Sequence, residues 1–331
     1  MNHRGGMSVL SPPILVLAND DLLAWILPYG ARLMQLWWLR APEGPRPLTL
    51  GFGEPRAYLD DRMSIGAVCG RYANRLADAW LTRGHQSWRL DANHPLGHCL
   101  HGGAGGFGQR HWRVAAHNAT SVTLELESED GDQGFPGRCQ SRVRYSLEGD
   151  VFCWQADAEV DEPCPLNLIQ HSYWNLDGRS DLLGHRLQVD SASYLPTDVR
   201  ELPLPARPVD GGHFDFRQPR AISADCVPEL DGALLLERGA GAEQAWRQPV
   251  ASLAVDDLTM TLATDQPLLH VYASAHLRAT APHLGVPHGP GAGLCLETEV
   301  WPNGPALGKA VWHEPGKPYR HRLRLQFQAK S

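Results

Sequence analysis

The sequence predicts an all-β protein, an antiparallel sandwich or barrel. Three observations carry that expectation. Short strand-like apolar runs recur from Ile14 to Phe327, 33 glycines and 26 prolines punctuate them, and long amphipathic helical patterns are scarce. At 331 residues the chain has the length of two average domains, yet β-rich sandwiches and barrels of this size often form one unit. No internal repeat, low-complexity linker or composition step divides it. A single domain over residues 1–331 is the expectation.

Residues 1–13 read as a flexible leader, because the apolar part is short and broken by Pro12 and Pro13, unlike a signal peptide. Ile14–Leu17, Leu22–Pro28 and Arg32–Leu39 follow as strands separated by Asn, Asp and Gly. The same texture returns at Trp112–Val114, Ser121–Glu127, Arg142–Leu147, Val151–Val160, Leu187–Val189, Leu258–Ala263 and Arg322–Phe327. Leu166, Leu168 and Ile169 read as a strand that delivers the polar and aromatic cluster around His171 to a sheet edge or cleft.

Composition excludes several classes. Apolar content of 43% and charged content of 20% describe a soluble globular chain with ample core material. A formal charge of −7 argues against nucleic acid or an anionic membrane as the main partner. No apolar run is long enough to span a bilayer. The seven cysteines (Cys69, Cys99, Cys139, Cys153, Cys164, Cys226 and Cys295) are odd in number and contain no CxxC pair. Reduced, mostly buried thiols in a cytoplasmic protein are expected.

Four stretches carry candidate chemistry. Asn167–Asp177 (NLIQHSYWNLD) sets His171 among aromatic rings and amides, which suit a ligand with an apolar face and a rim of hydroxyls. Gly66–Leu76 (GAVCGRYANRL) groups Arg71, Asn74 and Arg75 as donors for sugar oxygens or a carboxylate, or as surface ion-pair partners. His94–Gly108 (HPLGHCLHGGAGGFG) contains a GxGxxG match without the strand and helix that a dinucleotide site needs. Its His94, His98 and His101 lack zinc-site spacing, so the plainer expectation is one useful histidine, His101, followed by glycines that let a ligand approach the backbone. Gly293–Asn303 (GLCLETEVWPN) buries Glu297 in an apolar strand, with Glu299 two residues on and pointing the same way.

In order along the chain, GRYANRL at 70–76, LHGG at 100–103, DGDQGFPG at 130–137, NLIQHSYWNLDG at 167–178, YLPTD at 194–198, FDFRQP at 214–219 and GLCLET at 293–298 resemble the aldose 1-epimerase (galactose mutarotase) family. The resemblance runs from about residue 14 to about residue 327. It implies a large β-sandwich of the mutarotase kind acting on a free monosaccharide without metal or cofactor, as a monomer or homodimer. It also implies Glu297 as general base, His171 as general acid, and Asn74, Arg75, His101 and Asp231 as sugar-binding residues. The chain departs from the family pattern at Glu299, where glutamine is usual, at Gly232-Ala233 after Asp231, and over residues 281–291. Asp225 is a possible substitute for Asp231, and Trp174 and Trp301 are candidate aromatic walls or core residues.

The chemistry fits that pairing. Exchanging α and β anomers requires proton removal from O1 and protonation of the ring oxygen O5, rotation about C1–C2, and closure on the other face. A glutamate, with a reference pKa of about 4.3, serves as base and a histidine as acid. A sugar-phosphate epimerase would need a phosphate cradle, and no extra basic cluster accompanies these motifs. A non-catalytic carbohydrate-binding protein would not need the His and Glu together.

Overall fold

The computed structural model describes residues 12–237, 245–278, 283–284 and 289–330. Residues 1–11 of the expected leader, and most of the divergent stretch at 281–291, lie outside them.

Antiparallel sheets dominate, as expected. The largest has nine strands in the spatial order Arg113–His117, Ser121–Ser128, Cys139–Glu148, Val151–Val160, Tyr319–Ala329, Leu258–Thr264, Ala251–Ala254, Arg186–Val189 and Arg220–Ala221. Its central strands alternate between buried and more exposed positions, as in Cys139–Glu148 and Tyr319–Ala329. One face of this sheet is therefore wet and the other packs on the core.

A six-stranded sheet runs Tyr173–Trp174, Leu294–Glu299, Leu268–Tyr272, Asp231–Leu235, Ser193–Leu195, Arg207–Pro208. Leu294–Glu299 is buried throughout, so both of its faces are covered. Leu294 and Leu296 join the main core, which extends from Leu17 to Phe327, and Thr298 bonds His321 on that side. Period two then turns Cys295, Glu297 and Glu299 to the opposite face. In the neighbouring strand Leu269 and Val271 are core residues while His270 takes the Glu297 side. The wall on that side is completed by Ala67–Cys69, which pairs with Ile169–His171.

Among the described residues, the helical segments are 3₁₀ turns no longer than the five residues Pro55–Leu59, and no helix is long and apolar enough to cross a membrane. All seven cysteines are free, and all but Cys153 are buried.

Candidate active site

A cleft of about 420 Å³ opens on the Glu297 side of the six-stranded sheet, and Asn74, Arg75, His101, His171, Asp231 and Glu297 all line it. Residues as far apart as Asn74 and Glu297 are brought together because edge loops and one strand face meet there.

Glu297 is 3% exposed, and among the described residues no hydroxyl or backbone amide donates to its carboxyl group. Its Oε1 lies 3.4 Å from Nε2 of His171, which is also buried. Burial opposes the charge on each. Desolvation, with Glu299 and Asp231 adding to it and His270 opposing it, pushes the Glu297 carboxyl up to about 8. Desolvation pushes the His171 imidazole down to about 4. Titrating as a pair, the two groups therefore share one proton across the neutral range.

His171 is oriented from three sides. Its ring stacks on Tyr173 with centroids 5.1 Å apart and meets His101 edge-on at 5.3 Å, and Nδ1 lies 3.6 Å from the Cys295 thiol.

Asn74 and His101 lock each other. Both adopt left-handed backbone conformations, His101 N–H donates to Asn74 O at 3.1 Å, and Asn74 N–H donates to His101 Nδ1 at 3.3 Å. That bond assigns the proton of a neutral His101 to Nε2. Desolvation and the neighbouring His171 hold this imidazole well below its ordinary range. Arg75 is tied by an ion pair to Glu201, which also lines the cleft.

Several expectations are corrected. Arg71 does not reach the cleft: it is fully buried, and its guanidinium donates to the carbonyls of Ser128, Glu129, Pro136 and Gly137. It is neither a sugar donor nor a surface ion pair but the anchor of the DGDQGFPG loop. Nor do the LHGG glycines admit a ligand to the backbone. Gly102 has φ +86°, and a Cβ there would sit 1.9 Å from Gly70 O, so the close approach is between two chain segments. Trp174 packs in the core against Phe327, and Trp301 is covered by Lys309, so the aromatic walls of the cleft are Tyr173 and Tyr272 instead. Asp225 is absent from the lining whereas Asp231 is present. Glu299 points the same way as Glu297, but it lies deeper, against Asn74, Asn167 and His270.

Sequence reading missed His270. It sits opposite Glu297 in the adjoining strand, with Nε2 2.8 Å from Asp231 Oδ1. The available signal was a lone histidine within the apolar run Leu268–Tyr272.

For the histidines at 94, 98 and 101, both nitrogens of His98 are taken by backbone groups, the amide of Asp78 and the carbonyl of Arg200. Ligand-type atoms of His171, Cys295 and Glu297 do converge within 4.8 Å. However, Cys295 faces Nδ1 and Glu297 faces Nε2, opposite edges of one ring.

A sequence model described as aldose 1-epimerase matches residues 13–326. The aldose 1-epimerase of Escherichia coli is 32% identical, with 94% of each chain covered. The galactose mutarotase of Mus musculus is 29% identical over 94% of this chain and 92% of its own. Among solved structures, the GalM/aldose epimerase homologue from C. elegans superposes with a TM-score of 0.90 at 26% identity, covering 97% of this chain and all of that one. With a match that spans nearly its whole length, the chain belongs to the aldose 1-epimerase family.

Proposed function

We propose that this protein is an isomerase that interconverts the α and β anomers of a free aldose, with Glu297 and His171 as the proton-transfer pair. The observation that carries the reading is the buried 3.4 Å contact between these groups at the floor of the cleft. O1 and O5 of a sugar are bonded to the same carbon, so two adjacent groups serve both atoms; they need not stand on opposite sides of the anomeric centre.

Before a sugar binds, burial favours the uncharged arrangement, carboxyl and imidazole. A bound sugar whose O1–H donates to Glu297 and whose O5 accepts from His171 favours the carboxylate and imidazolium instead. Glu297 then takes the O1 proton as the C1–O5 bond breaks and O1 becomes the aldehyde oxygen. His171 supplies the proton that O5 gains. Rotation about C1–C2 and the reverse transfers return the other anomer, with the pair's proton restored.

Asn74, Arg75, His101 and Asp231 are assigned to holding the sugar hydroxyls. Carboxyl groups at Glu201, Asp231 and Glu297 outnumber the two guanidinium groups of the lining, Arg62 and the already paired Arg75, which favours a free sugar over a phosphorylated one. We further infer one catalytic unit, supported by the continuous core from Leu17 to Phe327, and a cytoplasmic location, supported by the free thiols.

Polarimetry of a panel of freshly dissolved α-aldoses, with and without protein, tests the activity. At least one sugar should equilibrate faster with protein present; a panel that shows no acceleration would refute the assignment.

A further inference from the structure

His270 and Glu299, both buried, form with the exposed Asp231 at the cleft a second acid–base cluster that the proton transfers above do not use. The His270 ring lies between two carboxylates, with Nε2 2.8 Å from Asp231 Oδ1 and Nδ1 3.5 Å from Glu299 Oε1. Glu299 is fully buried, and its two oxygens accept at 3.3 Å from the side-chain amides of Asn74 and Asn167. Among the described residues, His270 is its one ion-pair partner. The Asn74 amide is itself oriented, because its Oδ1 accepts the backbone N–H of Arg75 at 2.8 Å. Asn74 Nδ2 lies 3.4 Å from His270 Nδ1, and both groups converge on Glu299 Oε1.

A neutral imidazole has one N–H and can serve one carboxylate, whereas an imidazolium presents an N–H to each of the two carboxylates facing its ring nitrogens. A carboxylate buried as deeply as Glu299 keeps its charge only where a cation and hydrogen bonds replace the lost water.

We propose that His270 is a positioning residue, an imidazolium held between Glu299 and Asp231 that aims the Asp231 carboxylate into the cleft and, one strand away from Glu297, sets the proton affinity of the Glu297–His171 pair. The proposal rests on the Glu297–His171 reading for its effect on rate. The groups facing His270 are the carboxylates of Asp231, Glu297 and Glu299, with Arg75, His101 and His171 across the cleft. Burial opposes its charge, yet the bonds to Asp231 and Glu299 hold its titration well above the ordinary histidine range. Its charge in turn lowers the proton affinity of both Glu297 and His171, while that of Glu299 raises the affinity of Glu297.

The test uses His270→Gln, Glu299→Gln and the double variant, each read by thermal unfolding and by the pH profile of kcat/KM. His270→Gln leaves Glu299 buried without its cation, so Tm falls and the whole profile moves to higher pH, by about one unit for the loss of one adjacent charge. Glu299→Gln removes an anion, so the alkaline limb moves to lower pH. In the double variant both charges are gone. Its Tm recovers most of the loss and its profile returns toward wild type, while KM stays raised because Asp231 has lost its holder.

Additive Tm losses in the double variant, or single-variant profiles superimposable on wild type, overturn the proposal. If His270→Gln does not fold, the double variant decides, with recovery of the fold supporting the coupling and its absence refuting it. Activity surviving in Glu297→Gln would sink the proton-transfer reading instead, and the Tm coupling would stand independently of it.

Discussion

Glu297 Oε1 and His171 Nε2 meet at 3.4 Å inside the fold, one brought by a fully buried strand of the six-stranded sheet and the other by the short strand Ile169–His171. Burial pushes their titrations in opposite directions, and this makes the pair a one-proton device at neutral pH. Glu297→Gln keeps the shape but cannot accept the O1 proton. Loss of a general base costs roughly 10²–10⁴ in rate. We expect polarimetry to show that loss, with Tm little changed at neutral pH because burial already holds Glu297 as an uncharged carboxyl. Near-normal rates would remove Glu297 from the chemistry, and Glu299, which lies deeper, would be a poor replacement.

The pH profile of the wild type follows from the same pair. Below about 4 His171 accepts a second proton and leaves no acceptor for O1. Above about 8 the shared proton is lost and none remains for O5. The profile should therefore be a broad bell whose acid limb marks uptake of the second proton and whose alkaline limb marks loss of the shared one. His171→Asn should lower kcat far more than it changes KM. Its residual activity should rise through the titration of Glu297 and show no alkaline fall. An alkaline limb that persists unchanged would belong to another group, with His101 the first to examine.

What sequence could reveal here followed from periodicity and local motifs. Strands such as Val151–Val160 were legible because alternation or a continuous apolar run marks them, and that strand begins and ends where the residues predicted. The six candidate site residues lie in recognisable stretches and meet in one cleft. Arg71, in contrast, is chemically indistinguishable from Arg75 four residues on, and only the fold shows that its guanidinium turns inward to loop carbonyls. His270 was illegible for a similar reason: its meaning comes from cross-strand register with Glu297 and from a diagonal reach to Asp231, both long-range. The depth of Glu299 likewise depends on Asn74 and Asn167, which lie far away in sequence.

Removal of metal gives a separate check on the proton-transfer mechanism. The proposed steps use only side-chain acids and bases, and His98 has both nitrogens engaged by backbone. Exhaustive chelation should leave the anomerisation rate unchanged. A stoichiometric metal whose removal abolishes activity and whose return restores it would redirect attention to His171, Cys295 and Glu297, where ligand-type atoms converge.

The last prediction concerns the wall of the cleft. Arg32 is fully buried, and its Nη1 lies 2.5 Å from Asp61 Oδ2 while it also donates to the carbonyls of Ile65 and Gly108. The same Asp61 accepts from the backbone amides of Met63 at 2.9 Å and Ile65 at 2.8 Å, folding the segment whose Met63 and Ser64 line the cleft. Tyr173 braces that segment through a 2.8 Å bond from its hydroxyl to Met63 O. Asp61→Ala removes the one ion-pair partner that Arg32 has among the described residues, a change at a buried guanidinium that typically costs about 3–5 kcal/mol. The expected drop in Tm is on the order of 10 °C. KM should rise as Met63 and Ser64 lose their support, and the acid limb of the pH profile should move to lower pH because the Asp61 charge raises the proton affinity of His171. At neutral pH, saturating sugar and low temperature kcat should change less, since the Glu297–His171 contact lies outside the segment. Calorimetry together with steady-state polarimetry separates these effects. A Tm within two or so degrees of wild type would show that the Arg32–Asp61 pair does not hold this wall.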